Sequence, residues 1–525
     1  MIAKICLVLI FFGVAIGVGL YCRRTTTSVD GFVLGGRNVG PWMSAFAYGT
    51  SYFSAVVFVG YAGQFGWKYG LAAFWAGIGN ALLGSLLAWW VLGPRTREMT
   101  HRLNATTMPE FFGKRYDSKA LRVAAAAIIF VFLIPYTASV YNGLSRLFGM
   151  AFNLPYEWCV IGMAVITCIY VVVGGYMATV MNDFLQGIVM LIGISAVILV
   201  VLANNGGFME AVTTLSQVPH ETSPMQGAFV SMFGPDPLNL LGVVILTSLG
   251  TWGLPQMVQK FYAIKSGPAV KQGAIISTLF AFVVAGGSYF LGGFGRLYAG
   301  QVEIGANGAP VYDSIIPTML STLPDVLIGL VIVLVLSASM STLSSLVLTS
   351  SSTLTLDLLE GNVVKDMTEG KRVVYMRVLL VVFVIISAVL ALFQYHSSVT
   401  FIAQLMGISW GALAGAFLGP FLWGLYSGKV SKAAVWASFI FAVCLTSGNM
   451  IMGLMGITPL FASPINCGAF AMVASLIIVP LVSIITKSVD FDINPPQVEG
   501  AIDREFQASL HGEEEFNSEA ILETL

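Results

Sequence analysis

Apolar residues in this chain come in runs of about 20, long enough to cross a lipid bilayer as helices, and the runs recur from Ile2 to residue 486. A water-soluble domain has no core large enough to take them all. The chain is 57% hydrophobic and 10% charged, with a mean hydropathy of +0.85, so the solvent it is built for is lipid. A backbone crossing lipid must satisfy its own polar groups, and the runs lack the period-two alternation of an outer-membrane barrel. The expected fold is therefore an all-α polytopic membrane protein.

Spans fall near 2–21, 40–65, 70–93, 121–146, 156–174, 184–203, 237–256, 273–295, 325–352, 374–393, 399–424, 431–454 and 467–486, which reads as thirteen transmembrane helices. The first is followed by Arg23 and Arg24 and lacks a small-residue cleavage site, so it reads as an anchor and not a signal peptide. Lys and Arg collect on the cytoplasmic face of membrane proteins. With the N-terminus outside, only Lys4, Lys68, Arg146 and Arg296 of the 25 basic residues fall outside. Thirteen spans then put the C-terminus in the cytoplasm, as expected in an inner or plasma membrane. The tail over 489–525, with Glu513, Glu514 and Glu515, reads as a disordered acidic extension.

A net charge of -1 offers nothing to nucleic acid. The six cysteines form no CxxC pair, the four histidines have no metal-ligand spacing, and no soluble stretch is long enough for a catalytic domain. An enzyme is not expected, and nothing in the sequence sets an oligomeric state.

Polar chemistry departs from plain lipid-span composition in three places. The second span carries small and hydroxyl residues from Ala45 to Ser54 around Gly49, which fits either a helix opened at mid-membrane or a close-packing face. The seventh runs Thr247-Ser-Leu-Gly-Thr-Trp-Gly-Leu-Pro255, either a second break or a simple proline kink. Interrupted helices at corresponding places in two halves are how inverted-repeat transporters frame a binding site. In the ninth span Ser337, Ser341, Ser344 and Ser345 recur at helical spacing on one face. They serve either as hard oxygen ligands for a monovalent cation or as hydroxyls bonded back to their own helix. Asp183 follows Met181 and Asn182 at the expected start of the sixth span, with no basic neighbour in its loop. It marks an ion path or caps a helix. Gly411, Gly415 and Gly419 read as a close-packing face without chemistry.

Four stretches, Phe32 to Trp42, Gly174 to Gln186, Gly253-Leu-Pro-Gln256 and Met340-Ser-Thr-Leu-Ser344, resemble the sodium:solute symporter family, over most of the chain from Ile2 to Lys487. The resemblance implies Na+-coupled import of a small organic solute across the lipid bilayer by alternating access. It also implies a five-plus-five inverted-repeat (LeuT-like) core, with one extra helix before it (1–22) and two after it (426–488). The repeats would cover 23–210 and 211–425. Carried over by motif, the coupling sodium would be held by the carbonyls of Thr50, Phe53 and Ala338 and the hydroxyls of Ser341 and Thr342. Asp183, with Ser344 and Ser345, would serve a second sodium or the ion path.

The implied solute pocket is lined by Ser51, Tyr52, Ser54 and Ala55, by Thr247, Thr251 and Trp252, and by Gln64 and Tyr136. Its stretches resemble both the sodium/proline and the sodium/pantothenate branches. Tyr52 stands where proline symporters carry an aspartate, and Thr247 and Thr251 replace their aromatics. A small carboxylate or amino acid, such as pantothenate, a monocarboxylate or proline, is the expected solute, held without a Lys or Arg in the pocket. A proton-coupled or uncoupled transporter of the same fold is the nearest alternative. A channel would need a continuous polar pore, and an intramembrane enzyme a His, Asp or Glu constellation.

Overall fold

The computed structural model describes residues 2–23, 26–152, 154–221, 225–305, 308–365, 367–397, 402–488 and 490–493. Most of the acidic tail expected from 489 onward lies outside the described residues. The described chain is helical, and among those residues the only β pairing is three isolated bridges.

Helix α1 (Ile2–Cys22) leads to α2 (Pro41–Tyr52), a π turn (Val56–Tyr61) and α3 (Ala62–Tyr69). A second π turn (Asn80–Leu87) opens α4 (Ala88–Arg102), and α5 (Lys119–Phe152) and α6 (Tyr156–Asn204) follow. The next group is α7 (Pro237–Gly253), α8 (Pro255–Ala263), α9 (Gly267–Ala281), α10 (Asp325–Thr353), α11 (Glu369–Ser397) and α12 (Ile402–Tyr426). Helices α13 (Lys432–Leu454) and α14 (Pro464–Ile485) close the bundle.

Among the described residues, ten helices, or eleven with the bent pair α7 and α8, are long and apolar enough to cross a membrane. The expected count of thirteen is not confirmed. The excess traces to two continuous runs, Val56–Arg102 of 47 residues and Tyr156–Asn204 of 49, each about twice the length a bilayer needs. Each contains a glycine at positive φ, Gly70 at 62° and Gly175 at 56°, where the backbone leaves helical geometry at no steric cost.

Both expected breaks are present: the first lies beyond Gly49, at the end of the Ala45–Ser54 run, and the second falls within the Thr247–Pro255 stretch. The first lies at Phe53 and Ser54, beyond Gly49. Phe53 is extended, and the Ser54 side chain accepts from the Val56 N–H at 3.1 Å while its carbonyl accepts from Val57 and Phe58. Ser54 thereby caps the helix that restarts. Gly49 stays helical and serves packing, since a Cβ there would stand 2.4 Å from the Phe280 ring. The second break falls at Leu254, and Thr247–Trp252 remain helical. Pro255 pushes the preceding residue into the extended region, and α7 and α8 meet at a 46° bend.

Helix α10 is buried along nearly its whole length and packs on α1, α2, α5, α6 and α11, so its hydroxyls face protein and not lipid. The glycine series of α12 brings that helix against Gly468, Ala471 and Ser475 of α14, the close-packing role read from the sequence.

Candidate functional site

Where α2 ends at Tyr52, the carbonyls of Thr50 and Ser51 lose the partners that a continuing helix would supply from residues 54 and 55. The buried face of α10 fills that gap. Thr342 Oγ1 lies 3.4 Å from the carbonyl oxygen of Thr50, 3.3 Å from that of Ser51, 3.5 Å from that of Phe53 and 3.1 Å from that of Ala338. The Ser341 hydroxyl donates to Thr50 Oγ1 at 2.7 Å, and Thr50 Oγ1 donates to the Phe46 carbonyl. Thr50, Phe53, Ala338, Ser341 and Thr342 are therefore brought together, all at most 1% exposed. Their neutral oxygens are a ligand chemistry suited to a weakly held hard cation.

The second set is more dispersed. Ser344 Oγ donates back to the Ser341 carbonyl at 2.9 Å, the within-helix alternative for that residue. Ser345 Oγ shares a 2.8 Å bond with Ser51 Oγ, so Ser51 faces the hydroxyls of α10. Asp183 does not cap a helix. It sits two turns beyond the Gly175 break, inside α6, fully buried.

Asp183's nearest cation is Lys260 of α8, whose Nζ is 3.9 Å from Oδ2 and donates to Ser345 Oγ at 3.1 Å. The sequence reading counted Lys260 among the cytoplasmic loop charges, but it is 1% exposed. The clue was available: Lys260 lies five residues past Pro255, within the helix that the break creates.

The expected solute residues divide in two. Tyr52 and Tyr136 flank Trp410 of α12, with ring centroids 5.7 and 5.8 Å away. Tyr61 and Tyr289 adjoin this group. Among the described residues, the Tyr61 hydroxyl and Oε1 of Gln64 are buried without a hydrogen-bond partner, while Tyr52 with Tyr289 and Tyr136 with Trp410 face one another without a well-formed bond. Buried polar groups are normally bonded, so this cluster is suited to a polar guest.

Thr251 and Trp252 instead donate to the carbonyls of Gly84 and Leu83 in the π turn, and Thr247 donates back to Val243. Ser54 is used as the helix cap, and Ala55 packs against Gly143. Trp410, Tyr61 and Tyr289 were missed, because aromatics scattered over three distant helices carry no local spacing signal.

Among the described residues no three His, Cys, Asp or Glu side chains could hold a metal together. A family model described as the sodium:solute symporter family matches residues 32–442. The sodium/proline symporter of Staphylococcus aureus is 29% identical over 515 residues, covering 93% of this chain and 94% of the relative. Among solved structures, a substrate-bound, outward-open Na+-coupled sialic acid symporter superposes with a TM-score of 0.72 at 16% identity, covering 93% of this chain and 99% of its own. That likeness establishes the shared fold, an all-helical bundle with a five-plus-five inverted-repeat core.

Proposed function

The chain belongs to the sodium:solute symporter family and is a multi-pass membrane protein that couples Na+ to solute movement; from that premise we propose that it imports a small carboxylate or amino acid. The observation that carries the ion assignment is the convergence of Thr342 Oγ1 with four backbone carbonyls at the break in the second span. Na+ bound by Thr50, Phe53, Ala338, Ser341 and Thr342 would tie α2 to α10 and so favour one arrangement of the two repeats, 23–210 and 211–425. Solute would lie beside it, against Tyr52, Tyr136 and Trp410, with Gln64 near.

Phenol hydroxyls donate to a carboxylate without the desolvation cost of a buried ammonium. The restarted helices at Val56 and Pro255 add N-terminal dipoles that favour an anionic group. The relatives named sodium/proline symporters make proline one candidate. The Tyr52 and Thr251 departures widen the field to pantothenate-like acids and monocarboxylates.

The asymmetry of basic residues supports an outside N-terminus and a cytoplasmic C-terminus in an inner or plasma membrane. Each Na+ entering contributes about 2.3 kcal/mol per 100 mV of membrane potential, enough for solute accumulation of tens-fold.

The test is uptake of radiolabelled carboxylates and amino acids into proteoliposomes under a Na+ gradient or a K+ gradient, for wild type and Ser341→Ala/Thr342→Ala. Accumulation that needs Na+, with the double variant shifted to higher Na+, supports the site. Uptake indifferent to Na+ sinks it, and uptake that follows a proton gradient would favour the proton-coupled alternative.

A further inference from the structure

Lys260 is a positive charge buried in the membrane-spanning region, a placement that is expensive and usually tied to function. It rides on α8, immediately after the second break. Its Nζ reaches Ser345 Oγ of α10 at 3.1 Å, Asp183 Oδ2 of α6 at 3.9 Å and the face of Tyr176 at 5.1 Å. Ser345 in turn bonds Ser51 of α2. One ammonium thus bonds Ser345 and stands beside Asp183, two of the groups that the family resemblance implies for a second sodium, with Ser341 and Ser344 within one helical turn.

Three features separate this from a structural ion pair. At 3.9 Å the ammonium and carboxylate are too far apart for a hydrogen bond, and among the described residues the carboxylate of Asp183 makes no well-formed hydrogen bond, the Ser341 hydroxyl being its one close polar neighbour besides Lys260. The ammonium's direct bond goes to a hydroxyl, the ligand type a sodium ion would use. And the charges cancel: one buried carboxylate faces one buried ammonium, so a Na+ placed there would leave a net positive charge in a low-dielectric region. At about 4 Å from Nζ the repulsion would weaken its binding roughly a thousandfold.

Resting on the Na+-symport reading above, the geometry points to Lys260 as a tethered cation that fills the second cation position beside Asp183, so that this protein moves one Na+ per solute. The lysine supplies the positive charge that Asp183 needs and holds α8 to α6 and α10 without being released. The Thr342 site remains the exchangeable one.

The experiment is equilibrium binding of radioactive 22Na+ to the purified full-length protein, paired with reversal-potential measurement of the Na+:solute ratio in proteoliposomes. Wild type is expected to bind one Na+ and transport at one to one. Lys260→Ala is expected to bind two, with the Hill coefficient for Na+ rising from about 1 towards 2. Lys260→Arg should stay at one. The neutral pair Asp183→Asn/Lys260→Met, which leaves no unpaired buried charge, should fold and also bind one; this keeps the binding result readable if Lys260→Ala no longer transports. Two Na+ in wild type, or a single Na+ of unchanged affinity in folded Lys260→Ala, would overturn the assignment. No Na+ bound by wild type would overturn the Thr342 site and this inference with it.

Discussion

Asp183 and Asp357 are both fully buried carboxylates, yet their surroundings differ in kind. Asp357, in the π turn Leu354–Leu359 that ends α10, accepts from Arg122 Nε at 2.6 Å and from Thr107 Oγ1 at 2.5 Å. Arg122 also donates to the Leu356 carbonyl, and Thr107 caps the short helix Met108–Arg115. Every member of that group is satisfied, which makes it a clamp holding the end of α10 to the start of α5. Asp183 has only a loose ammonium neighbour and a hydroxyl lattice. A buried charge bonded on all sides is held in one arrangement; a buried charge short of partners can change them. The contrast marks the end of α10 as scaffold, and under the proposed function its middle would be the working surface.

The largest effect that would test this contrast is at the clamp. Asp357→Ala leaves Arg122 without its carboxylate and should cost about 3–5 kcal/mol of stability, measured as lower thermal and denaturant midpoints in detergent, while any remaining uptake keeps its Na+ dependence. The neutral pair Asp183→Asn/Lys260→Met, which leaves no unpaired buried charge, should show the reverse: a smaller loss of about 1–3 kcal/mol and a much larger fall in Na+-driven uptake. If that neutral pair destabilises as much as Asp357→Ala, the two carboxylates are alike and the distinction fails.

A smaller effect belongs to the phenols. Tyr52→Phe and Tyr136→Phe each remove one hydroxyl that makes no well-formed bond within the described chain. Each should raise KM for solute by up to about tenfold, on the order of 1 kcal/mol per lost bond, and leave Na+ affinity alone. A shift in Na+ affinity with unchanged solute KM would move these residues out of the solute pocket.

What the sequence could reveal followed from how local each feature is. The breaks announce themselves in small residues and a proline, and the hydroxyl face of α10 shows in spacing along one helix. The second break falls within the stretch that Pro255 marks, whereas the first opens beyond Gly49 because a helix opens where the chain can recap itself, which Ser54 does and Gly49 does not. The long run Tyr156–Asn204 was legible as apolar, but the bend at Gly175 is a backbone property that composition does not print. Lys260 was misplaced because loop counting treats a cation near a span end as solvated, whereas here a bend carries it inward to Asp183. Trp410, Tyr61 and Tyr289 meet Tyr52 only through tertiary packing, so no spacing rule could gather them.

Asp313 stands between the two carboxylates and sharpens the comparison. It lies outside the membrane-spanning helices in the turn Tyr312–Ser314, 6% exposed, and accepts one backbone bond, from Ile402 at 3.5 Å. Burial pushes its carboxyl up to about 6, against the pull of the Arg146 charge and the Ile402 bond. Because the packed form holds its proton more tightly than the unfolded chain, whose carboxyl has the ordinary value of 3.8, this contribution is complete below about pH 4 and is lost as pH rises through about 6. Two units of difference amount to about 3 kcal/mol at most. Thermal stability should therefore rise as pH falls from 7 to 5, and Asp313→Asn should flatten that rise by holding the loop in its neutral form throughout. Wild-type and variant curves that stay parallel over this range would mean that Asp313 is as well satisfied as Asp357, and that one weak backbone bond is enough for a buried carboxylate in this fold.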